Sequence, residues 1–196
     1  MKRAWLGVLL VTWIVATGTV GSGLCATAQP PPEGGVMPNV TLPVPQDAGE
    51  ASYLGVEGKK SFKIPEIKAD MVIVEIFSMY CPYCQKEAPI LNKLYEDIAK
   101  DEAVRNKVKL IGIGAGNTPF EVKTFKEKYQ VPFPLFADAD FSLHQVFGDV
   151  RTPYFMVIKT NRDGSHKVIY SEAGSIGDPQ DFLKLLLKKA GMKQGG

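Results

Sequence analysis

Seven residues, Met71-Val72-Ile73-Val74-Glu75-Ile76-Phe77, constrain this chain more than any other stretch. A β-branched run with so little polar surface reads as a buried central strand, and such a strand needs cover on both faces. One acid, Glu75, interrupts it. Cys81-Pro82-Tyr83-Cys84 follows directly and opens a helical pattern over Pro82 to Lys100. Ile90, Leu91, Leu94, Tyr95 and Ile98 share one face of it, and Pro89 is an expected kink. Strands and helices then alternate. Lys107 to Gly114 is the next strand, and Thr118-Pro119-Phe120-Glu121 is a capping box opening a helix with Val122, Phe125 and Tyr129 on one face. Ala139 to Phe147 is a short helix. Tyr154 to Lys159 and His166 to Tyr170 are strands joined by the turn-rich Asn161-Arg162-Asp163-Gly164. Asp178-Pro179 caps a last helix with Phe182, Leu183, Leu186 and Leu187, ending in Lys188, Lys189 and Gly191. This alternation predicts an α/β fold, a central β-sheet flanked by helices on both faces.

The ends of the chain have a different character. Lys2 and Arg3 precede an uncharged, mostly apolar run of 13 residues, Ala4 to Ala16, and Ala26-Thr27-Ala28 supplies a small-x-small cleavage site. Residues 1–28 therefore read as a signal peptide, too short in its apolar run for a bilayer span of about 20 residues. The alternative is an uncleaved inner-membrane anchor running through Val20. Cys25 does not suit lipid attachment, because Leu24 and Ser22 depart from the residues expected before an acylated cysteine. Residues 29–51 hold six of the 14 prolines and read as an extended, solvated linker. The folded domain is expected over 52–192, with a flexible tail at 193–196.

Charge narrows the function classes. Of 23 basic and 21 acidic residues, Lys2 and Arg3 account for the excess, so the secreted or periplasmic mature chain is balanced. Balance gives no electrostatic argument for nucleic acid or an anionic membrane surface. The mature chain keeps two cysteines, Cys81 and Cys84, in an oxidising compartment. Both tryptophans, Trp5 and Trp13, leave with the signal.

The placement of those cysteines carries the chemistry. At a helix N-terminus Cys81 meets unpaired backbone N–H groups and the positive end of the helix dipole, both favouring thiolate over thiol. Pro82 fits the first turn, where its missing N–H would have had no partner. Thiolate is the attacking species in disulfide exchange, and such motifs lower a cysteine pKa to about 3.5–7.5. Cys84, one turn on, is the expected resolving thiol. An inert structural disulfide is the bland alternative. Glu75, six residues before Cys81, runs beneath the motif and could accept or return the proton of Cys84, since charge in a buried strand is rare without a task. Glu87, three residues after Cys84, shares its helical face, though an acid is also ordinary in a first turn.

Val72 to Pro89 resembles the active-site strand and helix of the thioredoxin superfamily, with its acid six before the first Cys and its Pro five after the second. Phe133-Pro134-Leu135-Phe136-Ala137-Asp138, Arg151-Thr152-Pro153-Tyr154-Phe155 and Asp163-Gly164 resemble the TlpA/ResA-like redoxins, exported thiol–disulfide oxidoreductases. The likeness spans about Tyr53 to Leu187. It implies a thioredoxin-like fold with a mixed sheet and an extra strand–helix insert in the 68 residues between Cys84 and Pro153. It further implies a cis Thr152–Pro153 bond facing the cysteines as a substrate-docking loop, an active-site role for Glu87, and support from Pro82 and Tyr83. Tyr80 stands where a Trp usually precedes the first Cys, and Pro-Tyr is a glutaredoxin dipeptide. Dipeptide identity tunes the reduction potential, so the direction of electron flow stays open.

Three rivals are weaker. A peroxidase-like redoxin has Ser78 in its favour but wants a Pro where Val74 stands. A copper metallochaperone would need His144 or His166 beside the two thiolates and usually spaces its cysteines one residue wider. Gly112-x-Gly114-x-Gly116 lacks the spacing of a dinucleotide loop. The expectation is therefore an exported oxidoreductase that reduces or exchanges disulfides in proteins, with a disulfide-forming oxidase as the opposite direction. It needs no metal or organic cofactor, but a membrane or periplasmic redox partner must reset the cysteine pair.

Overall fold

The protein is described here as a computed structural model covering residues 29–161 and 163–193. The expected signal peptide with Cys25, and residues 194–196, lie outside the described residues. Five strands form the central sheet in the order β5 (Leu135–Asp138), β4 (Val108–Ala115), β3 (Met71–Phe77), β6 (Tyr154–Thr160), β7 (His166–Ala173). The run singled out in the sequence is the middle strand, buried along all seven residues. It pairs parallel with β4 and antiparallel with β6, while β4 pairs parallel with β5 and β6 antiparallel with β7. The sheet is mixed, as expected.

Alternation along β3 divides the core in two. Met71, Ile73 and Phe77 pack with Leu91 and Leu94 of α2 (Pro82–Lys100), Phe125 of α3 (Pro119–Tyr129) and Phe182 and Leu186 of α5 (Pro179–Ala190). Val72, Val74 and Ile76 face the other layer. That layer contains Leu42 of β1 (Thr41–Pro43), Leu54 of α1 (Ala48–Leu54), Phe62 of β2 (Ser61–Lys63) and Phe147, which ends α4 (Ser142–Val146). Glu75 has the parity of the first set, so its carboxyl enters the layer that holds α2. Helix α3, strand β5 and helix α4 lie in the stretch between Cys84 and Pro153, where the extra elements were expected. Helix α2 continues through Pro89 to Lys100.

Local signals explain the helix starts. Thr118 and Glu121 form the reciprocal capping box at α3, and Asp178 accepts from Gln180 N–H and Asp181 N–H at α5. Buried Asp138 receives Leu143 N–H at 2.9 Å and His144 N–H at 2.8 Å, which fixes the first turn of α4.

The linker expected over 29–51 is a correction. Met37, Val40 and Leu42 are each at most 4% exposed, β1 pairs antiparallel with β2, and the expected boundary at 52 falls inside α1. Farther upstream, Gly34 N–H donates to Val168 O and Val168 N–H donates to Gly35 O, both at 2.8 Å, lining the free edge of β7. Ser171 Oγ donates to Pro31 O at 2.6 Å. Prolines erase the periodicity that marks strands and helices, yet they suit an edge segment that lacks ladder donors. A few apolar anchors spaced between them are enough to bind the segment to the domain.

Candidate active site

Strand β3 delivers the chain at Phe77 into a short loop, Ser78 to Tyr80, and Cys81 is the N-cap residue of α2. Two side chains hold that loop by the backbone of one residue, Met79. Met79 N–H donates to Asn117 Oδ1 at 2.8 Å, and Gln85 Nε2 donates to Met79 O at 2.8 Å. Cys81 N–H closes the turn onto Ser78 O at 3.0 Å. Asn117 is fully buried at the end of β4. Neither it nor Gln85 was found by sequence reasoning, because contacts of 38 and six residues in separation leave no local pattern.

Both thiols are free, and they differ sharply in setting. Cys81 is partly exposed, whereas Cys84 has no exposed surface. Burial by itself would raise the Cys81 pKa. Hydrogen bonds from the Thr152 side chain, the Cys84 backbone and thiol and the Tyr83 backbone outweigh it and hold the thiol below its ordinary 9.0. For Cys84 burial wins and pushes the thiol up, with the nearby Glu75 carboxyl adding to the shift. The Thr152–Pro153 bond is cis, and Cys81 Sγ lies 3.4 Å from Thr152 O as a thiol donor. Gly174 N–H donates to Pro153 O at 2.9 Å and ties the loop to the end of β7.

Two carboxyls lie under the cysteines. Glu75 pairs in register with Gly112 on one side and Phe155 on the other, so it stands mid-sheet rather than at an edge. It is 4% exposed, and its Oε1 has no hydrogen-bond partner among the described residues. Burial first, then the charges of Glu87 and Cys81, raise its pKa well above the ordinary 4.5. Glu87 is buried too, and its Oε1 accepts from Ile176 N–H at 2.8 Å. Tyr80 and Tyr83, on either side of Cys81, are 66% and 71% exposed, and Tyr80 OH donates to Glu121. A groove of about 480 Å³ runs along Tyr83, Ile90, Thr152, Pro153 and Gly174. The sequence-predicted residues Cys81, Cys84, Glu75, Pro82, Tyr83, Glu87, Thr152 and Pro153 thus converge on one end of the sheet.

The histidines do not join them. His144 is held by its own loop, with Nε2 2.7 Å from Val150 O and Nδ1 3.3 Å from Asp149. His166 pairs with Thr160, six residues along β6 from Tyr154. At ~3.3 Å per residue it sits about 20 Å from the cis-Pro end. The glycines in and after β4 serve packing: a Cβ on Gly112 would meet Leu135 Cδ2 at 2.5 Å, and one on Gly116, whose φ is 65°, would collide with the Phe141 ring.

Residues 34–168 match the AhpC/TSA family. Thiol-disulfide oxidoreductase ResA of Bacillus cereus is 25% identical over 189 residues, covering 96% of this chain and 98% of its own. Among solved structures, a thiol:disulfide interchange protein DsbE from Chlorobium tepidum superposes with a TM-score of 0.60 at 14% identity, covering 82% of this chain and 99% of its own. StoA from Bacillus subtilis gives a TM-score of 0.50 at 19% identity, over 66% and 91%. These superpositions share the thioredoxin-like fold found here. The chain belongs to the AhpC/TSA family, on a thioredoxin-like fold and with relatives among the ResA-type redoxins.

Proposed function

We propose that the protein is an exported thiol–disulfide oxidoreductase that reduces disulfides in protein substrates. The asymmetry of its two thiols carries this reading: one is partly exposed with a lowered pKa, and the other is buried with a raised one. The Cys81 thiolate attacks a substrate disulfide, forms a mixed disulfide and expels one substrate thiolate, which takes a proton from solvent. Cys84 then loses its proton to Glu75 in the fraction of molecules whose Glu75 carboxyl is ionised, a fraction that grows as pH rises toward its raised pKa, and attacks the Cys81 sulfur. The second substrate sulfur leaves as thiolate, and the protein is left with a Cys81–Cys84 disulfide. Two electrons pass to the substrate, so a dithiol partner must reset the pair. The cis Thr152–Pro153 loop docks the substrate backbone, Glu87 holds the Ile176 loop beside it, and Pro82 and Tyr83 shape the entry to α2. Export rests on the sequence of residues 1–28, and the ResA relatives support the reaction class.

Trapping tests the reading directly. Cys84→Ser should accumulate a covalent partner on Cys81 in the native host, and Cys81→Ser should accumulate none. Equal, empty lanes on non-reducing gels would remove exchange from consideration. The direction is read from the reduction potential: near about −270 mV supports a reductase, and near about −120 mV reverses it to an oxidase.

A further inference from the structure

The groove beside Cys81 is bounded by two elements, each contributing one exposed cation. Ile90, Pro153 and Gly174 line its apolar part, and Tyr83, Lys86 and Arg151 form its rim. Lys86 projects from the second turn of α2, and Arg151 immediately precedes the cis-Pro loop. Neither has an ion-pair or hydrogen-bond partner among the described residues, so both charges are free to meet a ligand. Among the described residues the one acid in the groove wall is Glu87, which is 2% exposed and whose Oε1 is occupied by Ile176 N–H. Glu75 lies deeper, and its burial disfavours the charged form. What the groove presents to solvent next to the attacking sulfur is thus an apolar trough under two unmatched positive charges.

Resting on the exchange reading above, we propose that this groove selects its substrate: an extended polypeptide segment in which Asp or Glu flanks the disulfide cysteine. An apolar side chain of that segment lies along Ile90 and Pro153, while the acidic side chain meets Lys86 and Arg151. Charges on a rim act mainly on encounter and orientation, so the preference appears in the rate of Cys81 attack and weakens with salt. A polypeptide fits better than a small thiol because contact surface continues on both sides of Cys81, at exposed Tyr80 and along the groove.

The test uses three synthetic peptides with one disulfide each, identical except for Glu, Gln or Lys beside the cysteines. Single-turnover rates with the reduced protein are divided by the rates with dithiothreitol, which removes each peptide's own leaving-group effect. At about 0.01 M salt, where the Debye length is ~30 Å, the Glu peptide should react about fivefold faster than the Lys peptide, with Gln between. At about 1 M salt the ratio should fall to near one, as it should for Lys86→Gln/Arg151→Gln at either salt concentration. Equal rates for all three peptides would overturn the selection while leaving exchange standing, and so would a ratio that survives the double substitution. Oxidised glutathione, acidic but small, should lag behind the Glu peptide; matching its rate and salt response would overturn the polypeptide assignment. If even the Gln peptide is not reduced, the exchange reading itself falls and takes this inference with it.

Discussion

Glu75 is a carboxyl placed where proteins seldom put one: mid-strand, mid-sheet, with an oxygen lacking a hydrogen-bond partner among the described residues. Its folded-state pKa lies above the ordinary 4.5 because burial disfavours the charged form. The native state therefore keeps a proton that the unfolded chain releases. Its contribution to stability is complete below about pH 4.5 and is lost as pH rises toward the folded pKa. Glu75→Gln should raise the melting temperature at pH 7 to 8 by a few degrees, on the order of 1–3 kcal/mol, with the difference closing by pH 4. Thermal melts at the two pH values check this. The same variant should slow resolution of the mixed disulfide while leaving the first attack by Cys81 nearly unchanged, as read by stopped flow. An unchanged resolution step would make Glu75 structural. The thiols carry a companion expectation: the rate of iodoacetamide labelling of Cys81 should rise with a midpoint below pH 9.0, and that of Cys84 in Cys81→Ser with a midpoint above it.

Elements with local start and stop signals formed as their residues dictated. Helix α3 begins at its Thr118–Glu121 box, α5 at Asp178, and β3 spans the run that first marked it. Elements lacking such signals were missed. Strand β1 is three residues long, and its stability comes from partners 20 residues away in β2 and from the sheet face beneath. Leu42, fully buried there, separates the two pictures of this segment. Leu42→Ala should destabilise the domain by about 2–5 kcal/mol in urea titration, whereas a solvated linker would give almost no change. The loop ahead of α2 depends on Asn117 in the same non-local way. Asn117→Ala frees Met79 N–H in a part-buried position and should lower stability by about 1–3 kcal/mol, with a shift of the Cys81 labelling midpoint as the readout specific to the site.

At the scale of the whole molecule, the N-terminal residues carry one expectation. Trp5 and Trp13 both precede Gln29, so an exported and processed protein should begin at Gln29 and show no tryptophan fluorescence. N-terminal mass analysis of the protein from its host checks this, and recovery of Met1 or of an acylated Cys25 would overturn it. What the sequence determined unaided was written in short-range code, with α1 the exception: its Asp47 and Gly55 caps were masked by the prolines before them. Hydrophobic period set the strands and helices, capping residues set their starts, and the Cys81–Cys84 spacing at a strand–helix junction pointed to the chemistry proposed above, because each depends on neighbours within a turn or two. Tertiary structure decided the rest. Only the packed sheet brings Thr152 to Cys81 and stacks Glu75 and Glu87 beneath the thiols, and only it aligns Lys86 with Arg151 across one groove. The 29–51 segment binds for the same reason: its few apolar anchors gain from burial only once β3, β4 and β6 have built a surface to receive them.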